Sequence, residues 1–252
     1  MKKAYNSKRN YLFFLGLLCI CLFSFNLSCG LDTVDAVLED PFYELNIPNE
    51  ESNYDNCYFS FSTAKLSNSN SFGKGYVYYK IYNKRTTKNS EVNRIDTMIN
   101  DSSSRYNAAT TLINSYNYKE LYYVKALGDN PSTLVLDNVP QNIRIRLTNY
   151  GSSTGDFSAK IFIGDTLQGI PVRNNGKTFD FGRNGTYDEK PVKMENDENA
   201  SDTKGFSDEV TSEFFVVLYG VFAMPTESFE KIIYSPVHYL GEVRIDANTE
   251  NN

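Results

Sequence analysis

The chain opens with a charge-free apolar run, "YLFFLGLLCICLFSF" from Tyr11 to Phe25, behind Lys2, Lys3, Lys8 and Arg9. Alternation takes over further on. In "CYFSFST" (Cys57–Thr63), Cys57, Phe59 and Phe61 fall on one side of an extended chain and Tyr58, Ser60 and Ser62 on the other. This is the period-two signature of a half-buried strand. "YVYYKIY" (Tyr76–Tyr82) repeats it, with Val77, Tyr79 and Ile81 on one face and Tyr76, Tyr78, Lys80 and Tyr82 on the other. The two stretches predict adjacent strands of one antiparallel sheet.

The period then lengthens. Val92, Ile95 and Ile99 recur at helical spacing, with Ser90 placed to cap the run, and Ala109, Leu112, Ile113 and Tyr116 follow at i, i+3, i+4 and i+7. Residues 90–117 therefore predict two short amphipathic helices inserted into a β framework. Strands resume with "ELYYVKAL", "STLVL" and "NIRIRLT", the last with Ile143, Ile145 and Leu147 facing in, and then "FSAKIFIGD". "KTFDFGRNGTYD" offers Asn184-Gly185 for a tight hairpin turn. Residues 188–209 are charged and nearly free of large apolar groups, which predicts a mobile loop. "SEFFVVLYGVFAMP" (Ser212–Pro225) predicts a long strand, and "KIIYSPVHYLGEVRI" (Lys231–Ile245) a return alongside it.

The N-terminal run is short of the roughly 20 residues that a membrane-spanning helix needs, and its basic flank is that of a secretory signal segment. An uncleaved N-terminal anchor is the alternative, and neither belongs in a folded core. "NLSCG" closes the run and resembles the lipobox of bacterial lipoproteins. The resemblance implies cleavage between Ser28 and Cys29 and a diacylglycerol on the Cys29 thiol. Residues 1–28 would then be a signal peptide, with Cys19 and Cys21 discarded along with it. Residues 29–50 would form a lipidated acidic tether carrying Asp32, Asp35, Glu39 and Asp40 and punctuated by Pro41 and Pro48, with a first edge strand beginning near Tyr43–Ile47. Residues 51–252 would be the folded domain. Acyl chains contribute about 0.8 kcal/mol per buried methylene, so two or three give stable anchoring.

Charge narrows the partners. Cleavage takes four of the 25 Lys and Arg residues and none of the 31 Asp and Glu, leaving 21 against 31 and a net charge of −10. Nucleic acid needs a basic face and is excluded as a partner; adhesion to anionic lipid by surface charge is disfavoured for the same reason. After Cys29 the remaining cysteine is Cys57, which cannot form an internal disulfide and reads as a small hydrophobe in a strand. Nineteen Tyr, 17 Phe and no Trp suit pleated, half-buried surfaces.

An early "YVYYKIY" strand with a late aromatic strand and a closing "YSPV…GEVRI" is similar to the C and F–G strands of fibronectin type III-like and immunoglobulin-like domains. That similarity implies a mainly β protein, an antiparallel β-sandwich with a short two-helix insertion, Phe59 or Phe61 filling the volume usually taken by tryptophan. "CGLDT" together with the same ending also resembles a set of spirochaetal, treponemal-type lipoproteins, a likeness that carries no activity with it.

Candidate chemistry is sparse. His238 is the sole histidine, so any Ser-His-Asp or Cys-His arrangement must use it, and it sits in a strand between Val237 and Tyr239. One histidine and one leftover cysteine cannot ligate zinc. Asp197, Asn199 and Ser201 alternate like calcium-loop ligands, but Asp202 stands where that loop needs glycine and Asp208 is too short to close it. No metal or cofactor is expected, and no glycine-rich phosphate loop precedes a helix. Paired carboxylates for glycoside hydrolysis have no local pattern among 31 acids. Tyr76, Tyr78 and Tyr82, on the outer face of their strand, are expected to pack beneath the helical insertion, with a contact surface for a protein or glycan as the alternative. The expected function is a lipid-anchored envelope protein, more readily of the outer membrane, acting as a non-catalytic structural or interaction module. A surface adhesin for a host protein or glycan, or a polysaccharide hydrolase, are the competing readings.

Overall fold

A computed structural model describes residues 38–52, 55–66, 73–149, 158–181, 203–204, 213–226 and 231–246. Ser28 and Cys29, the apolar run before them, Asn184-Gly185 and the acidic 197–202 stretch lie outside the described residues, as does Asp208. Among the described residues no helix is long and apolar enough to cross a membrane.

The protein is mainly β, two antiparallel sheets face to face. In chain order the strands are β1 (Phe42–Asn46), β2 (Phe59–Thr63) and β3 (Lys74–Tyr82). Helix α1 (Arg85–Asn100) follows, then a 3₁₀ turn and helix α2 (Ala108–Thr110), which widens into a π-helical turn over Thr111–Ser115. Next come β4 (Lys119–Glu120), β5 (Tyr122–Val124), β6 (Ser132–Thr133), β7 (Val135–Asp137), β8 (Gln141–Arg146), β9 (Lys160–Ile163) and β10 (Thr166–Val172). β11 (Thr203–Lys204), β12 (Glu213–Pro225), β13 (Ile232–Tyr234) and β14 (His238–Asp246) complete the set. The first sheet runs β1-β2-β8-β9-β10-β5-β6. The second is built on β12, paired with β3 along one side and with β14 and β13 along the other, while β3 also carries β4, β7 and β11.

The expected pairing of β2 with β3 does not occur. β2 pairs with β1 and β8, and β3 with β12, so the two strands lie in opposite sheets. Each turns one alternating apolar face to the same core, and a period of two does not distinguish a neighbour in the sheet from a strand across it. That core joins Phe59, Phe61, Ile143 and Ile145 to Val77, Tyr79, Ile81, Val216 and Leu218, all buried. Phe181 stacks on Phe214 with ring centroids 4.0 Å apart, and Tyr79 meets Phe179 edge-on at 5.1 Å.

Three further segments depart from expectation. Leu38, the first described residue, is fully buried, so part of the expected tether is packed; Pro41, Phe42 and Pro48 are buried as well. Phe42 lies over the backbone of β12, where a Cβ on Gly220 would come within 2.9 Å of its ring. β10 carries little strand signal because Gly169 and Pro171 interrupt it; Gly169, at φ +152, brings its Cα so close to β5 that a Cβ would lie 2.2 Å from the Val124 carbonyl oxygen. Within the expected loop 188–209, Thr203 and Lys204 pair in parallel with Ile81 and Tyr82.

The helical insertion covers the outer face of the second sheet. Tyr78, Tyr82, Phe215, Val217 and Tyr219 pack there against Val92, Ile95, Ala109 and Leu112. α1 starts at Arg85 rather than at the expected Ser90, and Lys84 caps it without a side-chain bond. Its first turns lack apolar residues and are held by charge instead. The Lys88 ammonium, 2% exposed, lies 2.8 Å from Glu50 and 2.5 Å from Glu242, and Arg85 reaches Glu50 at 3.3 Å. One helical turn on, Glu91 accepts from Lys80 of β3 at 2.7 Å and from the Tyr82 hydroxyl at 3.0 Å. Lys80 also donates to the Tyr116 carbonyl at the end of the π-helical turn.

Removing one member of a buried ion pair leaves an uncompensated charge and costs about 3–5 kcal/mol, whereas replacing both by apolar groups is often neutral. Glu91→Ala is therefore expected to lower the unfolding free energy by that order, and Lys80→Met with Glu91→Leu to recover most of it. Urea denaturation of the three proteins measures both; a double variant as unstable as the single one would show that the pair's electrostatics do not set the cost.

Candidate functional site

On the helix-covered face of β3, residues of one row meet different surroundings. Tyr82 is fully buried, and its hydroxyl bonds Glu91 and, at 2.9 Å, the Tyr118 hydroxyl. It is a packing residue, which removes it from the alternative contact surface. Tyr78 is 6% exposed and lines a groove; Tyr76, beyond the helices, is half-buried. Two of the three candidate contact tyrosines therefore stand at or beside an opening, and the third is sealed beneath α1.

The groove forms where the insertion returns to the sheet. The π-helical turn brings Ile113 and Asn114 to its rim, and Asn117 takes a left-handed conformation (φ 59) that sends the chain into β4. A π-turn and a non-glycine residue at positive φ are both costly local choices that concentrate at functional positions. β4 pairs with β3 in a register that sets Glu120 opposite Tyr78. Tyr234 of β13, Tyr122 of β5 and Asn174, in the turn after β10, complete the lining of a cavity of about 490 Å³. That volume lies within the roughly 300–1,000 Å³ of small-molecule sites.

Its electrostatics centre on one carboxylate. The Tyr78 hydroxyl donates to Glu120 Oε1 at 3.4 Å. Burial first, and then the charge of Glu120, pushes the phenols of Tyr76, Tyr78 and Tyr234 above their ordinary value, so all three remain protonated hydrogen-bond donors. Lys119 Nζ donates to Asn117 Oδ1 at 2.5 Å. The Asn174 backbone N–H donates to the Tyr79 hydroxyl at 2.9 Å, pinning the turn after β10 to the strand that floors the groove. Glu120, Asn174, Tyr122 and Tyr234 carry no local motif; pairing between distant strands brings them together.

His238 lies elsewhere, at the start of β14. Its Nδ1 is 2.5 Å from Asp40 Oδ2, and its Nε2, with no hydrogen-bond partner, meets Glu44 Oε1 at 3.1 Å as an ion-pair contact. A catalytic imidazole directs one nitrogen to a carboxylate and the other to a nucleophile; here a second carboxylate takes the nucleophile's place, and the ring bridges two acids of the N-terminal segment. Cys57 is buried beside β2, with Sγ 2.9 Å from the Ser52 carbonyl oxygen. Among the described residues no group of three or more His, Cys, Asp or Glu is placed to hold a metal ion.

No protein-family model, curated protein or solved structure matches the chain.

Burial alone would lower the His238 pKa, but the Asp40 hydrogen bond and the charges of Asp40 and Glu44 outweigh it and raise the group above its ordinary value. Such a group stabilises the fold fully below the unfolded value of about 6.5 and loses that contribution as pH rises through the raised native value. The stability advantage of the native protein over His238→Gln is therefore expected to be greatest below about pH 6.5 and to shrink towards alkaline pH. Urea unfolding of both proteins across that range measures it; an advantage that stays flat would show that the imidazole is not charged in the fold.

Proposed function

We propose that the chain is a lipid-anchored bacterial envelope protein, of the spirochaetal type its termini resemble, whose fibronectin type III-like sandwich is a non-catalytic interaction module. The observation that carries this reading is the groove at the end of the helical insertion. It is open and lined by tyrosines and asparagines, with Glu120 the one carboxylate among the described residues that line it. Glycoside hydrolysis uses two carboxyl groups about 5–10 Å apart across the scissile bond, so this lining suits holding a ligand better than cleaving one. Anchoring is supported by the apolar run ending at Ser28-Cys29-Gly30 behind a basic flank. Envelope structure and adhesion to a host molecule are both served by such a module, and they differ in which side of the outer membrane carries it.

Two measurements test this. Cells expressing the full chain and fed radiolabelled palmitate are expected to label it, and Cys29→Ala to abolish the label; label retained in the variant would overturn lipidation at Cys29. Protease added to intact cells with a sealed outer membrane then separates the two roles. Loss of the C-terminal domain supports the adhesin, and survival until the membrane is opened supports an envelope role inside it.

A further inference from the structure

We propose that the groove is a saccharide site, built for one or more neutral sugar rings; the proposal rests on reading that groove as a binding site. Three features of its chemistry select this class.

The first is charge. Lys119 and Glu120, one positive and one negative, both line the groove, so a ligand carrying a strong net charge of either sign meets one repulsive partner for each attractive one. The second is polarity. Asn114, Asn174 and Glu120 line the same space, the Asn174 side-chain oxygen accepting from the Tyr79 hydroxyl at 3.5 Å. An apolar ligand would strip water from these groups without replacing its hydrogen bonds, at about 1–3 kcal/mol for each group left unsatisfied. A sugar hydroxyl both donates and accepts, which matches a lining of carboxylate oxygen, amide and phenol. The third is the rings. The half-buried Tyr122 and Tyr234 line the groove beside the buried Tyr78, and a pyranose presents a C–H face with hydroxyls at its edge. Tyrosine offers the same combination of apolar body and polar tip.

The walls are also fixed before a ligand arrives. Tyr78 and Glu120 are opposed in a strand pair, Asn174 is tied through its backbone to Tyr79, and Asn117 and the π-helical turn hold costly conformations at the rim. A preformed site avoids the ordering cost that weakens polar recognition.

The test uses the full chain in a polyoxyethylene detergent, which carries neither sugar nor quaternary ammonium. Saturation-transfer NMR and calorimetric titration would be run with maltose, cellobiose, lactose and N,N′-diacetylchitobiose, and with glucuronate and tetramethylammonium as charged probes. At least one neutral disaccharide is expected to bind, and Glu120→Gln and Asn114→Ala each to weaken it by about tenfold or more with unchanged melting temperature. If only a charged probe binds, and the same variants weaken it, the saccharide proposal falls while the groove stands as a binding site. If no probe binds in a variant-sensitive way, the saccharide proposal and the binding reading of the groove both fall. Neutral-sugar binding that both variants leave intact places the sugar elsewhere and also overturns the proposal.

Discussion

Two buried lysines set the terms of this fold. Lys80 and Lys88 are 3% and 2% exposed, and an ammonium group taken out of water demands an opposing charge and further hydrogen-bond acceptors. Glu91 and the Tyr116 carbonyl answer Lys80; Glu50 and Glu242 answer Lys88. The partners come from α1, the end of the π-helical turn, the segment before β2, and β14. Sliding the helix by one turn would leave both ammonium groups beside apolar sheet residues such as Phe215 and Val217. Apolar contact supplies much of the attraction between insertion and sheet, but it is non-directional. The ion pairs provide the register.

The groove follows from that register. Because Lys80 bonds the Tyr116 carbonyl, the insertion must end over the middle of β3, and the chain has only Asn117 and Tyr118 in which to turn back into β4. Asn117 meets the requirement at positive φ, a conformation that asparagine tolerates better than most residues. Tyr82 and Lys80 are thereby covered, while Tyr78 and Tyr76, further along the same row, are left at the open end beside Glu120. One buried charge under the helices thus decides which tyrosine of the strand reaches the groove.

This also explains what could be read from the sequence. β2, β3, β8, β12 and β14 alternate or run apolar, and the sandwich follows from them. β3 looks half-exposed because Tyr76, Tyr78, Lys80 and Tyr82 form its second face, and a lysine among tyrosines is the ordinary mark of a solvated row. The helical period of residues 90–117 predicts a cover for that row, and the insertion does bury Lys80 and Tyr82; alternation along one strand does not say where the cover ends. The start of α1 was hidden for a related reason: Arg85, Thr86, Thr87, Lys88 and Asn89 show no apolar period, since the turn they form is fixed by charge. In the groove, Tyr78 was legible as part of a local row. Glu120 could be placed only with the β3–β4 register in hand, and Asn174 and Tyr234 only with the pairing of β10 and β13.

The segment from Leu38 to Pro48 shows how the sandwich is closed by shape and charge. Phe42 fills the space left by Gly220, whose missing side chain lets the ring rest on the β12 backbone. Gly241, at φ +121, takes the bulge position in β14, and Pro48 packs where its Cβ would be; the Glu242 backbone N–H then donates to the Pro48 carbonyl at 3.0 Å. Asp40 and Glu44 complete the contact through His238. β1 is meanwhile paired in the first sheet with β2, so one short segment is fastened to both halves of the sandwich. In small secreted domains a disulfide often has this duty. Two glycines in the second sheet, each leaving room for a residue of the β1 segment, provide it by shape, and the imidazole between two carboxylates makes the closure respond to pH.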